Sequence, residues 1–148
     1  MRTRLGLSGL LFSVSLGSAG CGHHVTPDEA INELRNPEAE ARRDAADALR
    51  TDNGVPPQAL GPLLAAVSAE SDPAARGAEL ITLGRSGAPQ AKPVIDQAVM
   101  TAADPNMRRW AGRALKYWML ATAQLPAGYP FPDGWPYGQP GYPPILIK

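Results

Sequence analysis

Cysteine and histidine are nearly missing from this chain: its 148 residues hold one Cys and two His, and all three fall in Cys21-Gly22-His23-His24. From residue 25 onward there is no histidine, which excludes Cys–His and Ser–His nucleophilic sites from any folded part. No four-ligand metal set can be assembled locally around His23-His24, so the pair reads as a polar tether, with metal contact the weaker alternative. Net charge is missing too, with 14 basic against 14 acidic residues. Without Arg2 and Arg4 the remainder is near −2, so nothing draws it in general toward a phosphate backbone, and no nucleic-acid partner is expected. No apolar run approaches the roughly 20 residues of a membrane-spanning helix. Paired acids that would mark carboxylate chemistry are not evident, and no cofactor is called for.

What the amino end does have is the pattern of an export signal. Arg2 and Arg4 supply positive charge, Leu5 to Leu16 an apolar run, and Ser18-Ala19-Gly20 small residues before Cys21. A lone Cys in an exported chain calls for a special explanation. The junction has the form of a lipobox, in which lipid joins the Cys sulfur and cleavage falls before it, although Ser18 stands where Leu is usual. The expected organisation is a signal peptide over 1–20 and a lipid-anchored tether over 21–26. Cleavage after Ala19 with plain secretion, or a retained segment, are the alternatives. Gly22 rather than Asp after the Cys favours the periplasmic side of an outer membrane, if the cell has one.

Beyond the tether the chain repeats itself. Asp72-Pro73-Ala74-Ala75-Arg76 through Leu83 returns as Asp104-Pro105-Asn106-Met107-Arg108 through Leu115, with Arg three residues after Pro and Leu seven after Arg. A looser copy, Asn36-Pro37 to Leu49, keeps the Arg42-to-Leu49 interval but places two extra residues between Pro37 and Arg42. The three arginines lie 34 and 32 residues apart, a period that signals stacked helical pairs unable to bury their apolar faces singly. Asp or Asn caps a helix, and Pro in its first turn gives up no bond the helix needed. Small and apolar residues follow at helical spacing: Ala41, Ala45, Ala48 and Leu49; Ala75, Ala78, Ile81 and Thr82; Met107, Ala111, Ala114, Leu115 and Trp118. Partner helices carry Ile31 and Leu34; Leu60, Leu63, Leu64 and Val67; Val94, Ile95, Ala98 and Val99. Thr26-Pro27-Asp28-Glu29 opens the earliest of them with a cap and two acids at the positive helix end.

Over residues 27 to about 120 the chain resembles bacterial HEAT repeats, especially the short variety found in phycobilisome lyase-type HEAT-like proteins. The resemblance rests on the Asp-Pro-x-x-Arg-x-x-Ala-x-x-x-Leu unit. It implies that Asp72 with Arg76, Asp104 with Arg108, and Arg42 in the first unit are structural ties between neighbouring repeats. Glu79 stands where the unit has Ala, and Pro37 is out of register. The fold expected is all-α, a short solenoid of about three helical hairpins over 27–124.

Asp52-Asn53-Gly54-Val55-Pro56-Pro57 and Gly84-Arg85-Ser86-Gly87-Ala88-Pro89 are loop signals, expected to separate the helices within a repeat. Arg42-Arg43 and Arg108-Arg109 fit repeat architecture and a solvated helix side. In the most aromatic helix, some of Trp110, Tyr117 and Trp118 are expected to cover the last core layer. Residues 125–148 then hold seven Pro, four Gly and five aromatics, a density of Pro that no helix survives. A disordered extension, a strap on the chain's own helices, and a partner-binding segment in polyproline II form all suit it.

The function these features suggest is a non-catalytic scaffold in the cell envelope, held to the membrane by lipid on Cys21 and engaging an unidentified protein partner. Tyr129, Phe131, Trp135 and Tyr137 are its candidate tail contacts, Arg109 and Arg113 its candidate contacts on the helices. The alternatives are an accessory factor or enzyme akin to the lyase-type relatives, and a purely structural envelope component.

Overall fold

The computed structural model describes residues 25–125, and the roles expected for Cys21, Tyr129, Phe131, Trp135 and Tyr137 fall outside that range. Six α-helices follow one another: α1 (Pro27–Glu33), α2 (Ala39–Ala48), α3 (Leu60–Ala69), α4 (Pro73–Ser86), α5 (Ala91–Thr101) and α6 (Pro105–Ala121), with a 3-10 turn at Pro57–Ala59 leading into α3. Among the described residues there is no named strand. The fold is a short all-α solenoid.

Helix starts follow the local chemistry. Thr26 and Glu29 form a reciprocal capping box on α1. Asp72 accepts from the Ala74 and Ala75 N–H groups, both at 2.9 Å, and Asp104 from that of Met107 at 2.9 Å, with Pro73 and Pro105 at the first helical position. The loose first copy behaves differently. Asn36 Oδ1 accepts from the Glu38 N–H while α2 begins only at Ala39, so Asn36-Pro37 is a turn before the helix and not its cap. The two extra residues are thereby absorbed outside the helix. Arg42, Arg76 and Arg108 each occupy the fourth position of their helix.

The hairpins are α1/α2, α3/α4 and α5/α6, each closed by a short turn before the Arg-bearing helix, and α2, α4 and α6 stack side by side. This corrects the placing of the two Gly/Pro-rich loops, which join successive hairpins: α2 packs on α4 much more than on α3. The second of those loops also begins later than the run Gly84 to Pro89 suggests. Gly84 and Arg85 are helical, and α4 ends where Gly87 takes φ +62° as its left-handed cap.

Packing explains the pairing. Leu49, Leu63, Leu80, Leu83 and Ile95 are wholly buried between the two rows of helices. The α2–α4 contact is sewn by Thr82, whose hydroxyl lies 2.8 Å from the Ala46 carbonyl and 2.9 Å from that of Ala78 and accepts from Arg50 Nη1 at 3.3 Å. The α4–α6 contact is closer still, because α4 presents Gly77 to the Trp110 ring and Gly84 to the Ala114 backbone. At the far end Trp118 is buried and donates its indole N–H to the Ala88 carbonyl at 2.9 Å, satisfying the polar tip of the ring, while the Lys92 ammonium lies over its face at 5.5 Å. Trp110 and Tyr117 are only partly buried, Tyr117 lying under the Arg85 guanidinium at 5.3 Å.

Candidate functional site

The turns that close the three hairpins, at 34–38, 70–72 and 102–104, lie along one edge of the stack. Between them open two clefts. The first, about 520 Å³, runs from Leu34–Pro37 and Arg42 to Ala66, Ala69 and Glu70. The second, about 230 Å³, lies between Pro73 and Arg76 on one side and Ala98, Ala102 and Met107 on the other. Ser71 belongs to both, so they follow one another at the spacing of the repeat.

An ion network closes the floor of the first cleft. Arg42 donates through Nε and Nη2 to the two carboxylate oxygens of Glu70, at 2.5 and 2.8 Å, and through Nη1 to the carbonyls of Asn36 and Pro37, each at 2.8 Å. Glu70 also accepts from the Asp72 N–H at 2.8 Å. Its side chain is 2% exposed. The Arg42 bonds hold the carboxyl below its ordinary pKa, against the opposing effect of burial. This fork-on-fork geometry joins the first hairpin to the second. Asp72 and Asp104 spend their carboxylates on helix caps, so the inter-hairpin bond of the first cleft runs through Glu70, a residue outside the Asp-Pro unit.

Without Glu70, Arg42 keeps its bonds to the Asn36 and Pro37 carbonyls but loses the charged partner that joins it to the second hairpin. Replacing Glu70 by Gln is expected to lower the Tm by roughly 5 °C at neutral pH. Because the folded pKa of Glu70 is depressed, its contribution is present above the ordinary carboxylate value and lost as pH falls through the folded one. The difference in Tm between parent and variant therefore shrinks on acidification, and thermal melts followed by circular dichroism at several pH values would show whether it does.

Glu79, about two turns into α4, is wholly buried, and neither carboxylate oxygen has a hydrogen-bond partner among the described residues. Loss of hydration raises its pKa to about 7, the nearby Glu70 carboxylate adds to the rise, and Arg42 and Arg76 pull against it. Arg76 lines the second cleft with its Nε buried and lacking an acceptor. Arg108 donates Nη2 to the Ala103 carbonyl at 3.2 Å. Arg109 is exposed on the N-terminal half of α6, and Arg113, one turn on, is half-buried and engaged. The structure therefore brings Arg42, Asp72 and Arg76 together around Glu70 and Glu79, and leaves Arg109 apart from both clefts. Glu70 does not stand out in the sequence; its one signal there is its place two residues before Asp72, where an acid can reach an arginine on the previous hairpin.

Among the described residues no three of His, Cys, Asp and Glu come together as an ion site, and no helix is long and apolar enough to cross a membrane. What the stack offers is shape: antiparallel hairpins in series with a cleft at each junction, an α-solenoid of the helical-repeat kind. The family model for HEAT repeats matches residues 27–116, well over half of the chain, and the chain belongs to that family. No curated protein and no solved structure matches it.

Proposed function

We propose that the protein is a non-catalytic interaction scaffold of the cell envelope, tethered through lipid on Cys21, whose stacked hairpins hold a protein partner along the edge where the turns lie. The observation that carries this reading is the pair of clefts repeated at the spacing of the hairpins, since solenoids bind extended partners across serial surfaces of this sort. The tether rests on the signal-like amino end and the single Cys21 that follows it, and the outer membrane is favoured by Gly22. A membrane anchor would keep the clefts at the bilayer surface, and an aromatic-Pro tail contacting the same partner through Tyr129, Phe131, Trp135 and Tyr137 would raise its effective concentration. Arg109 supplies a further exposed cation on α6.

The test is in-cell crosslinking with mass-spectrometric identification of bound proteins, comparing the full chain, a chain ending at Gln124, and the Cys21→Ser variant. A partner retained by the shortened chain places binding on the helices; a partner lost with the tail places it there. No reproducible partner in any form would leave only a structural role and end the scaffold reading. A Cys21→Ser chain that fractionates with membranes as completely as the parent would end the lipid tether.

A further inference from the structure

Arg42, Arg76 and Arg108 stand at equivalent positions of α2, α4 and α6, yet their guanidinium groups are treated differently. Arg42 is held by Glu70 and two carbonyls. Arg108 reaches the carbonyl five residues before it, Ala103 O, as Arg42 reaches Pro37 O. Arg76 has no acceptor among the described residues, although its Nε is buried and it lines the second cleft. The cause lies in one position of the neighbouring hairpin. Glu70 is the C-terminal cap of α3, two residues before Asp72; the matching cap of α5, two residues before Asp104, is Ala102. The two caps share an extended backbone, with φ, ψ of −72°, 126° and −65°, 109°. The second junction thus has a methyl group where the first has a carboxylate.

The geometry points to the second cleft as a recognition site for a carboxylate side chain on an extended segment of the partner protein, seated on Arg76 as Glu70 is seated on Arg42. A planar guanidinium matches a carboxylate bidentately, and Arg76, its Nε–H buried without an acceptor, lacks the carboxylate that Arg42 has. Pro73, Ala98, Ala102, Ala103 and Met107 form most of the remaining lining, beside Ser71, Thr101 and the Asp104 cap, so small apolar residues beside the acid would meet apolar walls. A volume of about 230 Å³ takes a side chain or two and not a folded element. Asp104 at the rim and Glu79 near Arg76 favour a single negative charge over a phosphate dianion.

This inference rests on the scaffold reading, and its test separates the two. The probes are a blocked, fluorescently labelled heptapeptide with one central glutamate among alanines and prolines, its glutamine counterpart, and inorganic phosphate. Each is titrated against the full chain in detergent, following anisotropy and the side-chain Nε–H resonance of Arg76. The glutamate peptide is expected to bind saturably, at least tenfold more tightly than the glutamine peptide, and to shift that resonance. Ala102→Glu supplies the carboxylate from within the chain, on a backbone already suited to it. That variant is expected to raise the Tm and weaken the peptide at least tenfold, and its raised Tm shows that the loss is not unfolding. Equal affinity for the two peptides, no binding, phosphate competing at least as well as the glutamate peptide, or an Ala102→Glu chain that binds like the parent would each overturn the assignment. If a crosslinked partner is captured equally by parent and Ala102→Glu, the scaffold stands and the carboxylate site falls.

Discussion

Gly84→Ala is expected to cost the protein about 3 kcal/mol or more, the larger end of what overpacking does, and to lower its Tm by more than 10 °C. A Cβ placed on Gly84 collides with the carbonyl oxygen of Ala114 and lies 2.8 and 2.9 Å from its carbonyl carbon and Cα. The obstacle is the backbone of α6, which has no rotamer to change. Relief requires α4 and α6 to separate, and that is the most extensive helix contact in the stack, with Ala111 and Ala114 wholly buried in it. Helix propensity pulls the other way by only about 1 kcal/mol. Two other glycines calibrate the experiment. Gly77 faces the Trp110 ring, a side chain that can give way, so Gly77→Ala is expected to be milder than Gly84→Ala. Gly61, exposed on α3, would bring an added methyl group within 4 Å of nothing, so Gly61→Ala should stabilise by about 0.5–1 kcal/mol. Denaturant melts of the three variants give the order, and a Gly84→Ala protein as stable as the parent would show that the helices separate at little cost.

These glycines mark the limit of what the sequence makes legible. Helix starts are readable because an Asp–Pro pair acts locally: a carboxylate reaching N–H groups two and three residues away needs no information about the rest of the chain. The register of the repeat is equally open, since Arg42, Arg76 and Arg108 with Leu49, Leu83 and Leu115 keep a constant interval across all three copies. The phase of the hairpins is not. A helix between two loops can pair with the neighbour on either side, and the choice made here, with α2 set on α4 and hardly on α3, rests on contacts such as Thr82 on Ala46, which join residues 36 positions apart. Gly84 itself looks like loop punctuation, because absence of a side chain serves a turn and a close helix crossing alike. The ion network escapes for a related reason. Arg42 finds its carboxylate 28 residues away at a helix C-terminus, and nothing local marks Glu70 for it. Glu79 is visible as a departure from the small residues Ala45 and Ala111 of the other units, but its complete burial depends on α2 lying across α4.

That burial sets the second large effect. In the folded protein Glu79 keeps its proton up to about pH 7, whereas in the unfolded chain it releases it near the ordinary carboxylate value of about 4.3. Between those values the folded state binds more protons than the unfolded one, so stability falls as pH rises across the window and levels off above it. The full change is on the order of 3 kcal/mol. Glu70, with its depressed pKa, acts on the opposite side and loses its contribution in acid. The two carboxylates together place the optimum in mildly acidic solution. The groups that face Glu79 from outside its own helix turn are Arg42 on α2 and Glu70 at the end of α3, with Arg76 beneath it on α4. Of this cluster, Glu79 is the member whose pKa is carried up into the window. Glu79→Gln removes the titration while keeping the shape. The variant is expected to melt at nearly constant temperature between pH 5 and pH 8, and to exceed the parent by roughly 10 °C at pH 8, the equivalent of a few kcal/mol for a domain of this size. At pH 5, where Glu79 is already neutral, the two should melt together within a few degrees. A parent that melts no lower at pH 8 than at pH 5, or a Gln variant that retains the parent's slope, would place the proton elsewhere. The sharper readout is the carboxyl resonance of Glu79 itself: a midpoint near 7 that moves down when Glu70 is replaced by Gln would tie the burial of this side chain to the ion network at the first cleft.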